Sequence, residues 1–242
     1  MKQLDILDTY DPAFFERLKK IENNHFWFYI RRKWIFDKIK KFIPPPAKLL
    51  EVGCGTGNVS SFLAKKGYIV TGCEYYSEAI NMGWPGYRKV QGNATNLKFG
   101  DNSLDIVGLF DVLEHFQDDI TPLKEAVRVL KKGGIIVLTV PSREELWSHF
   151  DKEAMHKRRY TKERLKRVFS DVRITPLLVE YMFMSLYLPV KFRSKRREYG
   201  DPFRINTLVN TLLKGLFDIE RSISKCIPLP IGTSLIAIAQ RN

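Results

Sequence analysis

The stretch Leu49-Leu50-Glu51-Val52-Gly53-Cys54-Gly55-Thr56-Gly57-Asn58, LLEVGCGTGN, decides how this 242-residue chain reads. Leu49, Leu50 and Val52 form a short apolar strand core, and Gly53, Gly55 and Gly57 let the backbone turn tightly and approach a ligand without interference from Cβ atoms. A helix should follow, because Val59, Phe62, Leu63 and Ala64 give an apolar stripe before Lys65, Lys66 and Gly67 close it. Strand, glycine turn and helix together open a nucleotide or nucleoside site. The spacing is G-x-G-x-G, whereas a pyrophosphate turn reads G-x-G-x-x-G and leaves its helix N-terminus free for anions. Glu51 puts a carboxylate in that place, where it would repel a pyrophosphate and attract an ammonium or sulfonium.

S-adenosylmethionine carries both cations and no phosphate, and the stretch resembles the first motif of the class I S-adenosylmethionine-dependent methyltransferases, an acidic residue, any residue, then G-x-G-x-G. The resemblance implies an α/β fold: a Rossmann-like, seven-stranded, mostly parallel sheet with helices on both faces and an antiparallel last strand. It also implies an S-adenosylmethionine cofactor, held near Glu51, Gly53, Cys54, Gly55 and Gly57. It covers residues 45–180, with a last strand at 233–239.

Further landmarks follow in the order that this resemblance requires. YIVTGC, 68–73, is an apolar run ending in Glu74, placed to accept hydrogen bonds from both hydroxyls of a ribose. Tyr75 is placed to lie against adenine, and Ser77 reads as the N-cap of a short helix. A strand at 87–91 leads to Gly92-Asn93-Ala94, where the family usually has an acidic residue in place of Asn93; the asparagine amide still offers an acceptor and a donor to adenine. SLDIVGLFDVLEHF, 103–116, reads as a buried parallel strand from Asp105 to Phe110 running into Asp111, Glu114 and His115. It resembles the fourth strand and loop of small-molecule methyltransferases, including the quinone-biosynthesis type with its V-L-E-H sequence. That resemblance turns the backbone around Leu109 and Phe110, together with Asp111, toward the methionine end of the cofactor. TPLKEAVRVLKKGG, 121–134, reads as a helix capped by Thr121 and ended by Gly133 and Gly134, and IIVLTVP, 135–141, as the next strand.

Four segments result: an N-terminal helical cap at 1–46, a Rossmann-like core at 47–180, a helical lid or insertion at 181–231, and the last core strand at 232–242. In the cap, a helix over about 25–42 mixes aromatic and basic residues and stops at Pro44 to Pro46. Trp27, Phe28 and Arg31 are lid residues on this reading, with Arg31 or Arg32 placed to grip the cofactor's carboxylate. The insertion starts with YMFMSLYLPV, 181–190, passes through the basic KFRSKRR and ends in a helix over 206–224, whose apolar face includes Leu208, Leu212, Leu216, Ile219 and Ile223. Such a face suits a lid over an apolar acceptor, an amphipathic contact with an anionic membrane, or packing on the domain.

The formal net charge of +13 fits nucleic acid, anionic lipid, phosphorylated metabolites or a merely well-solvated surface. Cys54, Cys73 and Cys226 show no paired spacing, so a disulfide framework or zinc site is not expected. The N-terminus lacks a signal peptide's apolar core, and no run approaches the roughly 20 apolar residues of a membrane span. A cytoplasmic protein, at most peripheral to a membrane, is the expectation.

An acceptor hydroxyl or amine has to lose its proton, and His115 and His156 are the catalytic candidates, since imidazole titrates near neutral pH. No carboxylate and histidine set with metal-ligand spacing stands out, so no metal is expected. The signature of nucleic-acid amino methylation, Asn or Asp before Pro-Pro and an aromatic residue, is absent after the fourth strand. The leading reading is methyl transfer to an O or N atom of a small or lipid-like acceptor. RNA methylation and a non-catalytic, cofactor-binding scaffold at a membrane or partner stand as alternatives, and the oligomeric state is left open.

Overall fold

The computed structural model describes residues 12–194 and 205–242, so the first eleven residues and the basic residues at 195–197 lie outside the described part. Two helices, α1 (Pro12–Glu22) and α2 (Phe26–Phe42), precede the first strand. A single sheet then alternates with helices: β1 (Lys48–Val52), α3 (Asn58–Lys65), β2 (Ile69–Glu74), α4 (Ser77–Met82), β3 (Arg88–Gln91), β4 (Leu104–Phe110), α5 (Ile120–Val129), β5 (Leu130–Pro141), α6 (His149–Glu153), α7 (Lys162–Asp171) and β6 (Ile174–Met182). After β6 come α8 (Tyr187–Ser194), α9 (Thr207–Ile223) and β7 (Ser234–Arg241).

The sheet order is β3-β2-β1-β4-β5-β7-β6, and β7 runs antiparallel to both of its neighbours. This is the Rossmann-like sheet with a reversed last strand that the sequence predicts. Alternation along the central strands builds two cores. Leu50, Val52, Val107, Leu109, Ile136 and Leu138 face one way, against Leu123 and Ala126 of α5 and Leu165 and Phe169 of α7. Leu49, Ile106, Phe110 and Val137 face the other way, against Trp34 and Ile35 of α2, Leu63 of α3 and Phe217 of α9. Parallel strands covered on both faces have no polar side, which is why β4 reads as a continuous apolar run.

Several boundaries differ from expectation. Helix α5 ends at Val129 instead of 134, because Leu130 already pairs with Leu104; the ladder then slips before Ile106 pairs with Ile135, so the Lys-Lys-Gly-Gly run is absorbed into β5. Its first turn is satisfied by Asp118, not Thr121: the Asp118 carboxylate accepts from the Ile120 amide at 2.9 Å and the Thr121 hydroxyl at 2.5 Å. Ser77 is the first residue of α4, and Tyr76 holds the N-cap position. The sixth strand begins only at Ile174, since Val172 closes α7 and Arg173 takes a positive φ of 58°.

Helix α9 lies against α2. Phe26 and Phe217 stack with ring centroids 5.4 Å apart, and Lys33 donates to Asp218 at 2.6 Å. Cap and insertion therefore form one layer beside the sheet ends that carry the glycine turn.

Candidate active site

The C-terminal ends of β1, β4 and β5 face a cavity of about 510 Å³ that α1, α2 and the insertion cover. Its floor is the glycine turn. Gly53, Gly55 and Gly57 all take positive φ, of 66°, 53° and 76°. The need for glycine is clearest at Gly57, where an added Cβ would lie 1.8 Å from the Tyr87 hydroxyl. At Gly55 an added Cβ meets nothing within 4 Å, so the turn presents bare backbone there.

Glu51 sits at the end of β1, buried, and accepts a hydrogen bond from the Ser60 hydroxyl. Burial pushes its carboxyl up to about 7, against the opposing pull of Ser60 and of the Arg31 charge. Glu74 is tied down by backbone amides: one oxygen accepts from Gly55 at 2.7 Å, the other from Tyr75 at 2.7 Å and Tyr76 at 3.2 Å. Its carboxyl is nonetheless raised, because burial outweighs those bonds.

After β4 the chain makes a strained turn, with Asp111 at a φ of 56°. The Asp111 amide donates to the Thr139 carbonyl at 2.8 Å, and its carboxylate pairs with Arg31 Nε at 2.6 Å. Arg31 also donates to the Phe110 carbonyl at 2.8 Å, and its guanidinium lies 4.9 Å from the Trp27 ring centroid. Of the two arginines, Arg31 lines the cavity, whereas Arg32 reaches Asn23 and the rings of Tyr29 and Phe62.

On the opposite wall stands a charged cluster. Arg159 donates to both oxygens of Asp151 at 2.9 Å, and Asp151 Oδ1 lies 2.9 Å from His156 Nδ1. Asp151 itself is fully buried and caps its own helix, bonding Ser148. Its carboxyl is held below the usual range by His156 and Arg159 despite burial. With Nδ1 engaged, His156 turns Nε2 toward Glu114, 4.0 Å away. The His115 ring lies 4.9 Å from that of His156 and interacts with the backbone at Asp111 and Ala154. Burial and the His156 charge lower its ring to about 3. Glu114 is fully buried and neither carboxylate oxygen has a hydrogen-bond partner, so burial and the Asp111 charge hold it protonated well above the usual range.

Ligand atoms of Glu114, His115 and His156 all lie within 4.8 Å of one another, the one set among the described residues close enough together to hold a metal ion. Folding alone produces it, which is why sequence spacing showed no such set.

Arg31, Glu51, Gly53, Cys54, Gly55, Phe110, Asp111, His115 and His156 all line the cavity. Gly57, Glu74, Tyr75, Asn93, Ala94 and Leu109 do not. Glu74 joins the site only through the Gly55 amide. The Asn93 side chain accepts from the Thr95 amide and hydroxyl, each at 2.9 Å. The Leu109 side chain is buried in the core on the far side of the sheet from Phe110, and Tyr75 is half-exposed beside Tyr76. Sequence reasoning assigned no site role to Glu22, Glu114, Asp151 or Arg159. Glu22 ends α1 and accepts from Thr56 and the Trp84 indole, bolting the cap to the glycine turn. The available signal for the others was the spacing Asp151, His156, Arg159, which puts an acid and a base on either side of one histidine.

These features meet the demands of S-adenosylmethionine. The buried carboxylate of Glu51 suits a cation, and the open face of Gly55 is a cradle that a side chain would fill. The fold and glycine turn together define the class of cofactor-binding Rossmann-like domains with a reversed last strand. Residues 50–138 match the family described as methyltransferase domain. Over these residues the chain is similar to class I S-adenosylmethionine-dependent methyltransferases, and its site fits S-adenosylmethionine.

Among relatives, a demethylmenaquinone methyltransferase of Bacillus pumilus is 34% identical over 133 residues, covering 49% of this chain and 56% of that protein. One from Staphylococcus epidermidis is 33% identical over 125 residues, 45% of this chain and 52% of its own. The chain thus spans only about half the length of these curated relatives. Among solved structures, a chain of the complex between the Haloferax volcanii Trm112 methyltransferase activator and a methyltransferase matches with a TM-score of 0.64 at 17% identity, covering 96% of this chain and 99% of that one. The YcgJ protein of Bacillus subtilis matches with a TM-score of 0.57 at 19% identity, covering 87% and 99%. At such identities these likenesses concern the fold alone.

Proposed function

We propose that the protein methylates an O or N atom of a small, apolar or lipid-like acceptor in the cytoplasm, with His156 as the general base. The observation that carries this reading is the cavity. Glu51 and the glycine turn form one wall, the Arg159–Asp151–His156 chain another, and Phe26, Trp27, Phe28, Leu186, Val190 and Leu213 supply an apolar lining for the acceptor. S-adenosylmethionine, when bound, supplies a methyl group made electrophilic by its sulfonium. Glu51 and Arg31 hold its charged groups, and Glu74 fixes the turn through the Gly55 amide. Asp151 fixes the His156 ring through Nδ1, so that Nε2 takes the acceptor's proton as the lone pair is committed to the methyl carbon. His115, pinned to backbone and kept neutral by burial, positions the His156 ring and is not the base. Covering helices exclude water and align the two substrates, which supplies much of the rate in such displacements. The names of the demethylmenaquinone methyltransferase relatives agree with an apolar acceptor.

The test is His156→Ala and His156→Gln assayed with labelled cofactor. Turnover should fall by about 10² to 10⁴, while S-adenosylmethionine affinity, read by calorimetry, stays within about twofold of wild type. Unchanged turnover in both variants overturns the base assignment.

A further inference from the structure

We propose that the outer face of α8 and α9 is a docking surface for an anionic lipid bilayer. The proposal goes beyond the methyl-transfer reading and does not depend on it.

Helix α9 has two apolar faces where a surface helix normally has one. Phe217 is buried against Phe26 and Phe183, and Leu213 packs on the same core. The other face consists of Leu208, Leu212, Leu216, Ile219 and Ile223, continued by Ile227, at steps of four, four, three, four and four residues. Spacing of that kind puts them on one stripe. All six face solvent: Leu208 is 70% exposed, Leu212 66%, Ile219 62% and Ile227 64%. Helix α8 repeats the arrangement with Leu188 and Phe192, four residues apart and 58% and 68% exposed. Its inner residues Pro189 and Val190 line the cavity, as does Leu213 of α9.

A contiguous apolar stripe on a monomer marks an interaction surface. Charge chooses the occupant. Two copies would bring together chains that each carry a formal charge of +13. The same charge draws the chain to an anionic membrane, with Lys191 next to Phe192 in sequence. No helix among the described residues is long and apolar enough to cross a membrane, so contact would be interfacial, with the stripe lying in the headgroup region.

Flotation of the full chain with phosphatidylcholine vesicles, with and without phosphatidylglycerol, tests this. Wild type should float with the phosphatidylglycerol vesicles, more weakly with pure phosphatidylcholine, and release at high salt. The double variant Leu212→Glu, Ile219→Glu should lose at least about tenfold in vesicle affinity with its thermal midpoint and S-adenosylmethionine affinity unchanged. The proposal is overturned if wild type fails to float with anionic vesicles, or if the double variant floats equally well. It is also overturned if sedimentation shows a wild-type dimer that the double variant splits, without vesicle binding by either. Flotation without any cofactor affinity would count against methyl transfer and leave docking standing.

Discussion

Glu51 makes cofactor affinity depend on pH. Its folded carboxyl is raised to about 7 from an ordinary 4.5, so between those values the native state holds a proton that the unfolded state has lost. Stability therefore falls as pH rises through that window, by about 3 kcal/mol in all. A bound ammonium needs the ionised form, so binding expels the proton. S-adenosylmethionine affinity should rise up to about tenfold per pH unit below about pH 7 and level off above it. Glu51→Gln should bind more weakly and without that slope; a wild-type affinity constant between about pH 5.5 and 8 on calorimetry would contradict the assignment. Glu114 follows the same sign, raised by burial and by Asp111. Its contribution to stability also falls as pH rises above the ordinary carboxyl range. Glu114→Gln keeps the shape without the proton that folding has to take up, so thermal unfolding should show a more stable protein near neutrality with a flatter pH profile. At Gly57 the positive φ and the Tyr87 hydroxyl act together. Gly57→Ala should cost about 1–3 kcal/mol in denaturant unfolding.

The seating of α9 on α2 decides whether the cavity has a roof. Phe217 is fully buried and touches Phe26 and Phe183, whose own neighbour is Trp27 on the cavity wall. Ion pairs from Lys33 to Asp218 and from Arg221 to Asp37 hold the same contact at its partly exposed side, where each is worth less. Phe217→Ala should therefore destabilise the protein by about 3–5 kcal/mol, and hydrogen exchange should rise in α9 and α2 before it rises in β4. Equal protection in both regions would mean that α9 contributes nothing to the roof. Both helices were legible in the sequence, within one residue at each end, α9 because its apolar spacing is regular and α2 because Pro44 to Pro46 stop it. The end of α5 was not, since Gly133 and Gly134 look like a helix stop and the pairing of Leu130 with Leu104 is a long-range fact. Residues 51 to 57 were equally legible, because a glycine turn is local chemistry. The Arg159–Asp151–His156 chain and the buried Glu114 were not, since their meeting depends on how the segment after β5 folds back against the loop after β4.

At the scale of the molecule, one sheet positions two unlike walls. Strands β1 and β2 end in carboxylates and bare backbone that suit a cationic nucleoside, while the cap and the insertion bring aromatic and aliphatic side chains over the same opening. The chain connection between the paired strands β6 and β7 carries α8 and α9. On the proposed function, that division would make the acceptor a property of the covering helices and the methyl donor a property of the sheet. The central claim is tested most directly by incubating the protein with methyl-labelled S-adenosylmethionine and a cell extract separated into lipid, RNA, protein and small polar pools. Label should enter an apolar, solvent-extractable species with wild type and be lost with His156→Ala. Label in RNA or protein, or in an apolar species to the same extent with both proteins, would contradict the account.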